Sequence, residues 1–343
     1  MSFRIIKKVP TGSEIIQQIP LSRTGYKNIE QHRNEIKNIL NGYDNRLLII
    51  VGPCSAWPYD AVIEYAHRLT KINDKVKDKL KLVMRSYIQK PRTVKGWTGP
   101  ANQPDPLKSP DIESGMVYAR RLMVALSEMN LAIADEALFT HNAQGFLELL
   151  SWVAIGARSS EDQEHRVFAS SIDCPVGIKN PTSGSIKIGV NGILAAQHQH
   201  TAVFDGFEVD TSGNAYAHLV LRGGDGKPNY SIEHLEEVYR CLFKEKVTNP
   251  AVIVDVSHDN CLVNFIKEYK KQGDVIFEIL ESIKNNVHLT KIVKGFMLES
   301  FIKDGRQDVV KNKPIDMDGL SITDPCIGWE QTEELLLKLA YSL

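Results

Sequence analysis

Eight short runs rich in β-branched and other apolar residues recur along this sequence, and longer stretches with helical period separate most of them. The runs are RLLIIVG from Arg46, LKLVMRSY from Leu80, LAIADEAL from Leu131, VAIGAR from Val153, CPVGIKN from Cys174, HLVLRGG from His218, AVIVDVSH from Ala251 and IVKGFMLES from Ile292. Strands that are buried on both faces read as near-continuous apolar runs, and parallel strands need a long crossover, usually a helix. Helical period occurs over Ala61–Ile72, Ser114–Met129, Ser185–Ala196, Ile232–Lys244 and Leu262–Ile283, with Gln331–Ala340 closing the chain. Eight such strands close on themselves, which predicts an α/β fold of the (β/α)8 or TIM-barrel type. An open doubly wound sheet is the alternative. Against it, no G-x-G-x-x-G follows the first run.

Residues 1–45 read as a short N-terminal arm with a polar helix around Asn28–Leu40, stopped at Asn41-Gly42. The catalytic barrel then takes residues 46–343. Within these 343 residues the formal net charge is −1, so no global field draws the chain to nucleic acid or to an anionic membrane. No apolar run approaches the roughly 18 residues of a membrane span, and the opening MSFRIIKKVP lacks the apolar core of a signal peptide. Five scattered cysteines without a C-x-x-C pair indicate neither a disulfide framework nor a zinc ribbon, and a cytoplasmic home is expected.

Barrel enzymes place their reacting groups at the C-terminal ends of the strands. Those ends here carry Cys54, Arg85, Glu136, Arg158, Lys179, Arg222, His258 and Glu299, with Asp324 following in SITDPCIGWE. Strand ends emerge toward solvent, which is reason enough for any one of them to be polar. As a set they differ from the Gly, Asn, Ser and Asp usual where strands turn.

Arg85, Arg158, Lys179 and Arg222 would meet at one mouth, joined by Lys90 and Arg92 of QKPRT. Crowded cations need an anion, and guanidinium forks suit phosphate and carboxylate. More than one such group is expected in the ligands. Cys54, His258, Glu299 and Asp324 form a mixed thiolate, imidazole and carboxylate set, suited to one divalent Mn, Fe, Zn or Co rather than to Mg or Ca. Spacing alone leaves the alternative that the Cys and His are ordinary buried residues.

Further segments carry a resemblance. VGPCSAW, MRSYIQKPRTVKGWTGPANQPDP, SWVAIGARSSEDQEHR, CPVGIKNPTSGSIK, TSGNAYAHLVLRGG, VDVSHDN, MLES and SITDPCIGWE resemble, in order, the signature segments of class I 3-deoxy-7-phosphoheptulonate (DAHP) synthases, from about Ile36 to the C-terminus. These transferases condense phosphoenolpyruvate with erythrose 4-phosphate at the start of the shikimate pathway of aromatic amino acid and chorismate biosynthesis. The resemblance implies metal ligands at Cys54, His258, Glu299 and Asp324. It implies phosphoenolpyruvate contacts at Arg85, Lys90, Glu136, Arg158, Lys179 and Arg222, and an aldose phosphate site at Lys90, Pro91, Arg92 and Thr93, with Asp324 beside it. Lys90, Glu136 and His258 stand as the catalytic candidates. Partners would be phosphorylated small molecules and further copies of the chain, as a dimer or tetramer.

Three departures from the family pattern stand out. Trp57 and Pro58 replace an expected His and Asp after the first motif. The stretch Gln197–Val209 is shorter than in feedback-regulated members and lacks their KWGH segment. Phe139–Gln144 and Ser170–Asp173 differ from the residues those members use to bind an aromatic amino acid, and the arm is shorter. Insensitivity to aromatic amino acids is therefore expected. Two other readings remain: the same condensation with a different aldose phosphate in a specialised pathway, and a catalytically silent regulatory homologue.

Overall fold

A computed structural model describes residues 2–92, 96–138, 144–204 and 206–343. Two helices, α1 (Gly12–Gln18) and α2 (Arg23–Asn41), lead into strand β1 (Leu47–Gly52). There follow α3 (Tyr59–Val76), β2 (Leu80–Arg85), α4 (Ile112–Glu128), β3 (Ile133–Ala137), β4 (Trp152–Ile155), α5 (Gln163–Ser171), β5 (Val176–Lys179) and α6 (Ile186–Gln197). A hairpin of β6 (Thr201–Phe204) and β7 (Phe207–Asp210) precedes β8 (Ala217–Leu221), α7 (Ile232–Lys244) and β9 (Val252–Asp255). A second hairpin, β10 (Leu262–Val263) with β11 (Ile266–Lys267), leads to α8 (Gln272–Ile283), α9 (Val287–Ile292), β12 (Val293–Glu299) and α10 (Trp329–Ser342).

Eight of these strands close in the order β1-β12-β9-β8-β5-β4-β3-β2, all parallel. They coincide with the eight apolar runs, so the expected barrel forms. Side chains alternate in each strand. Along β1, Leu48 and Ile50 join Val83, Ala134, Val220, Ile253 and Met297 inside the barrel, while Ile49 and Val51 face the helical layer.

Helix α2 belongs to the same packing. Its Ser22 hydroxyl caps the Gly25 amide, and Gly42 ends it at φ 78°, where a Cβ would be strained. Ile36, Ile39 and Leu40 from its buried face join the interior cluster and close the barrel floor. Lys81, at the floor end of β2, reaches back to it, with Nζ 2.7 Å from both His32 Nδ1 and Glu35 Oε2.

Two sequence expectations need correction in detail. The helix expected over Leu262–Ile283 begins only at Gln272, because Asn264 and Phe265 take φ of 50° and 64° and fold the preceding residues into the hairpin. Helices α1, α5 and α9 and the β6–β7 hairpin were not anticipated; each is short, with too few apolar repeats to show a period.

Candidate functional site

The strand ends deliver their side chains to one mouth. Cys54, Arg85, Lys90, Pro91, Arg92, Glu136, Arg158, Lys179, Arg222, His258 and Asp324 all line a single cavity of 180 Å³, together with Tyr87, Ala157, Thr182 and Thr323. Thr93, the remaining member of the expected aldose phosphate loop, lies outside the described residues. A smaller, mostly apolar cavity behind the wall, lined by Ile88, Met116, Phe146 and Leu150, shares only Glu136 with this mouth among the described residues.

The cations are held by different means. Arg85 is fully buried at the end of β2. Its Nη2 donates to Glu299 Oε1 at 3.2 Å, its Cζ lies 4.0 Å from the Tyr87 ring centroid, and its Nη1 is buried with no hydrogen-bond partner among the described residues. Lys90 Nζ donates to the Cys54 carbonyl at 2.6 Å. Lys179, buried at the end of β5, sits with Nζ 3.1 Å from Asp255 Oδ2 and 3.8 Å from Glu136 Oε2. Arg222 Nη1 donates to Asp259 Oδ2 at 3.2 Å, and Arg92 Nε to the Trp97 carbonyl at 2.6 Å.

Opposite them lies the mixed donor set. Ligand atoms of Cys54, Glu299 and Asp324 fall within 4.8 Å of one another. One sulfur with two carboxylates is a donor chemistry that fits a borderline divalent ion. His258 is the expected ligand that stands outside this group. Its φ of 52° turns the residue at the start of a 3-10 turn, and its Nδ1 comes within 3.0 Å of Asp255 Oδ2 without the alignment of a hydrogen bond. Burial pushes its pKa down and Asp255 opposes that, leaving a net lowering that favours the neutral imidazole a metal needs.

Burial opposes charge on Glu299 and Asp255, yet their neighbours prevail. Lys267, His258 and Arg85 hold the Glu299 carboxyl well below its usual range, and His258 and Lys179 do the same for Asp255. Burial, with Glu299 adding to it, pushes the Cys54 thiol up, so a thiolate there calls for a cation beside it.

Several participants escaped the sequence reading, Asp255, Tyr87 and Lys267 among them. Asp255 ends β9 and, with Val256 after it, looks like part of the VIVDV run, though a carboxylate inside an apolar run is itself a signal. Tyr87 passes for core. Lys267 lay within the stretch read as helix, where the alternation of LVNFIK around an Asn was the available hint. Trp57 packs away from the cavity: its indole NH donates to the Pro104 carbonyl at 3.0 Å, and its ring meets Trp97 edge-on at 6.5 Å.

The model of the DAHP synthetase I family matches residues 20–337. Among curated relatives, the chain is 38% identical to "Phospho-2-dehydro-3-deoxyheptonate aldolase, Trp-sensitive" of Shigella flexneri, covering 98% of this chain and 96% of the relative. It is 40% identical to "Phospho-2-dehydro-3-deoxyheptonate aldolase" of Haemophilus influenzae, covering 95% and 89%. The solved structure of the phospho-2-dehydro-3-deoxyheptonate aldolase from Francisella tularensis SCHU S4 superposes with a TM-score of 0.92 at 36% identity, over 99% of this chain and 98% of that one. With the same barrel over nearly its whole length, this chain belongs to the DAHP synthetase I family.

Proposed function

We propose that this protein condenses phosphoenolpyruvate with erythrose 4-phosphate and water to give 3-deoxy-D-arabino-heptulosonate 7-phosphate and inorganic phosphate. The observation that carries the reading is the buried Arg85 Nη1, unpartnered among the described residues, in a mouth shared with five further cations and facing the Cys54–Glu299–Asp324 group. A buried guanidinium NH without an acceptor is costly, and an anionic ligand supplies one.

In this mechanism Arg85, Arg158, Lys179 and Arg222 hold the phosphate and carboxylate of phosphoenolpyruvate. Pro91 and Arg92, with Thr93, take the phosphate of the aldose. The enol carbon attacks the aldehyde carbon and a carbon–carbon bond forms. Lys90 gives the aldehyde oxygen its proton, and Glu136 orients the water that adds to the adjacent carbon. Collapse of that hemiketal breaks the carbon–oxygen bond to phosphate. A divalent ion of Mn, Fe, Zn or Co held by Cys54, Glu299, Asp324 and His258 would supply Lewis acidity at the aldehyde oxygen. Burial lowers the Lys90 pKa, but Cys54, Glu136 and Glu299 together outweigh it, so Lys90 carries its proton when idle.

Trp57, packed against Trp97, removes one of the two motives for a different aldose phosphate, the other being the altered loops, and the intact charged mouth speaks against a silent homologue. Expected insensitivity to aromatic amino acids has no support: the relative 38% identical over 98% of this chain is named Trp-sensitive. Of the residues that prompted the expectation, Phe139–Ala143 lie outside the described residues, and the Ser170 hydroxyl is engaged with the Val167 carbonyl and Thr211. Inhibition curves with each aromatic amino acid decide it. Phosphate release that requires both substrates is the test of the reaction; release from phosphoenolpyruvate alone, or none at all, would refute it.

A further inference from the structure

Lys267 stands among the groups that would hold the metal, although no part of the mechanism above uses it. The β10–β11 hairpin pairs Leu262 with Lys267 and Val263 with Ile266, leaving Asn264 and Phe265 as a two-residue turn with both φ positive. That is the turn which matches the twist of a tight hairpin. It is anchored at its base, where the Glu268 amide donates to the Cys261 carbonyl at 2.9 Å. The hairpin thus aims one side chain at the mouth. Lys267 Nζ donates to Glu299 Oε2 at 3.0 Å and to Asp324 Oδ2 at 3.1 Å.

These two carboxylates, with Cys54, are the group whose ligand atoms lie within 4.8 Å of one another. Glu299 is heavily subscribed already: Oε1 accepts from Arg85, and Oε2 accepts from Ser257 Oγ at 2.8 Å as well as from Lys267. A carboxylate offers about four lone-pair sites, so three are taken. An ammonium and a divalent ion on the same oxygens are like charges competing for the same electrons.

We propose that Lys267 is a resident cation of this centre, a positioning residue that competes with the divalent ion for Glu299 and Asp324. Without an ion it keeps two adjacent carboxylates from repelling each other. When an ion enters, Lys267 gives up at least one of them and turns toward solvent, which its side chain, 22% exposed, already reaches. The lysine thereby lowers the affinity of the centre and keeps its ion exchangeable. The inference rests on the reading of Cys54, Glu299 and Asp324 as metal ligands.

Calorimetric titration of the chelator-treated protein with Mn tests it. Lys267→Met should bind Mn at least tenfold more tightly than wild type, with a larger Mn-induced rise in Tm, and Lys267→Arg should stay within about threefold of wild type. Equal or weaker Mn binding by Lys267→Met would overturn the proposal. Should that variant not fold, wild-type protein gives the second test: acetylation of Lys267 by acetic anhydride, read by peptide mass spectrometry, should rise severalfold when Mn replaces chelator. Unchanged or reduced labelling overturns it. Wild type that binds no Mn in either experiment refutes the metal-ligand reading and this proposal with it.

Discussion

Cys54, Glu299 and Asp324 come from three distant parts of the chain, and each is placed by the backbone that carries it rather than by its neighbours in sequence. Cys54 follows the end of β1, Glu299 ends β12, and β1 and β12 are hydrogen-bonded with Gly52 opposite Glu299. Replacing Cys54 with Ser should therefore remove bound metal and activity while leaving the far-ultraviolet circular dichroism unchanged. His258→Ala should do the same; retention of bound metal by that variant would leave His258 oriented toward Asp255 as its whole role. The anion sites divide in an analogous way. Lys179→Ala should raise the Michaelis constant for phosphoenolpyruvate, since a charge-assisted contact contributes about 1.5–3 kcal/mol, whereas Arg92→Ala should act mainly on that for the aldose phosphate. Equal effects of both changes on both constants would contradict the division. The strand-end residues were legible because position in the barrel announces them. Asp255 and Lys267 were not, since each lies in a segment that reads first as structure.

At the scale of elements, the β1–β12 junction closes the barrel and is tightly made. A Cβ on Gly295 would meet the Leu48 carbonyl oxygen at 1.8 Å, so Gly295→Ala should sharply lower the yield of folded protein. The floor is a second junction. Ile39 is buried among the interior side chains, and Ile39→Ala should cost about 2–5 kcal/mol in denaturant unfolding. Beside it, burial and then Lys81 push the His32 imidazole down to about 4, and burial alone takes His218 inside the barrel to about 4. Both lie below the unfolded value of about 6.5, so between those limits the unfolded chain binds more protons than the native one. Stability should hence fall as pH drops from about 6.5 to 4, and His32→Gln should make that slope shallower in urea unfolding across the window. An unchanged slope would show that His32 does not contribute. The boundaries of α7 were readable from its apolar period and the end of α2 from Gly42, whereas α2 starts at Arg23, five residues before the polar helix read around Asn28–Leu40. The β10–β11 hairpin was hidden because its six residues are as apolar as the helix that follows.

The molecule as a whole is a frame of eight parallel strands with one chemically dense end. The frame could be read from sequence because burial on both faces of a strand leaves an unbroken apolar run, as in LLIIVG and VIVD. Convergence of the mouth could be foreseen only as a consequence of closure. Its pairings could not: which carboxylate meets Arg85, or that Lys179 faces Asp255, depends on side-chain directions that spacing does not encode. In the proposed reaction the anion sites and the metal donors act together. This is tested most directly by steady-state phosphate release from phosphoenolpyruvate with erythrose 4-phosphate, in protein treated with chelator and again after Mn is restored. Release that needs both substrates, is abolished by chelation and returns with Mn is the expected result; undiminished release after chelation, or release without the aldose phosphate, would contradict it.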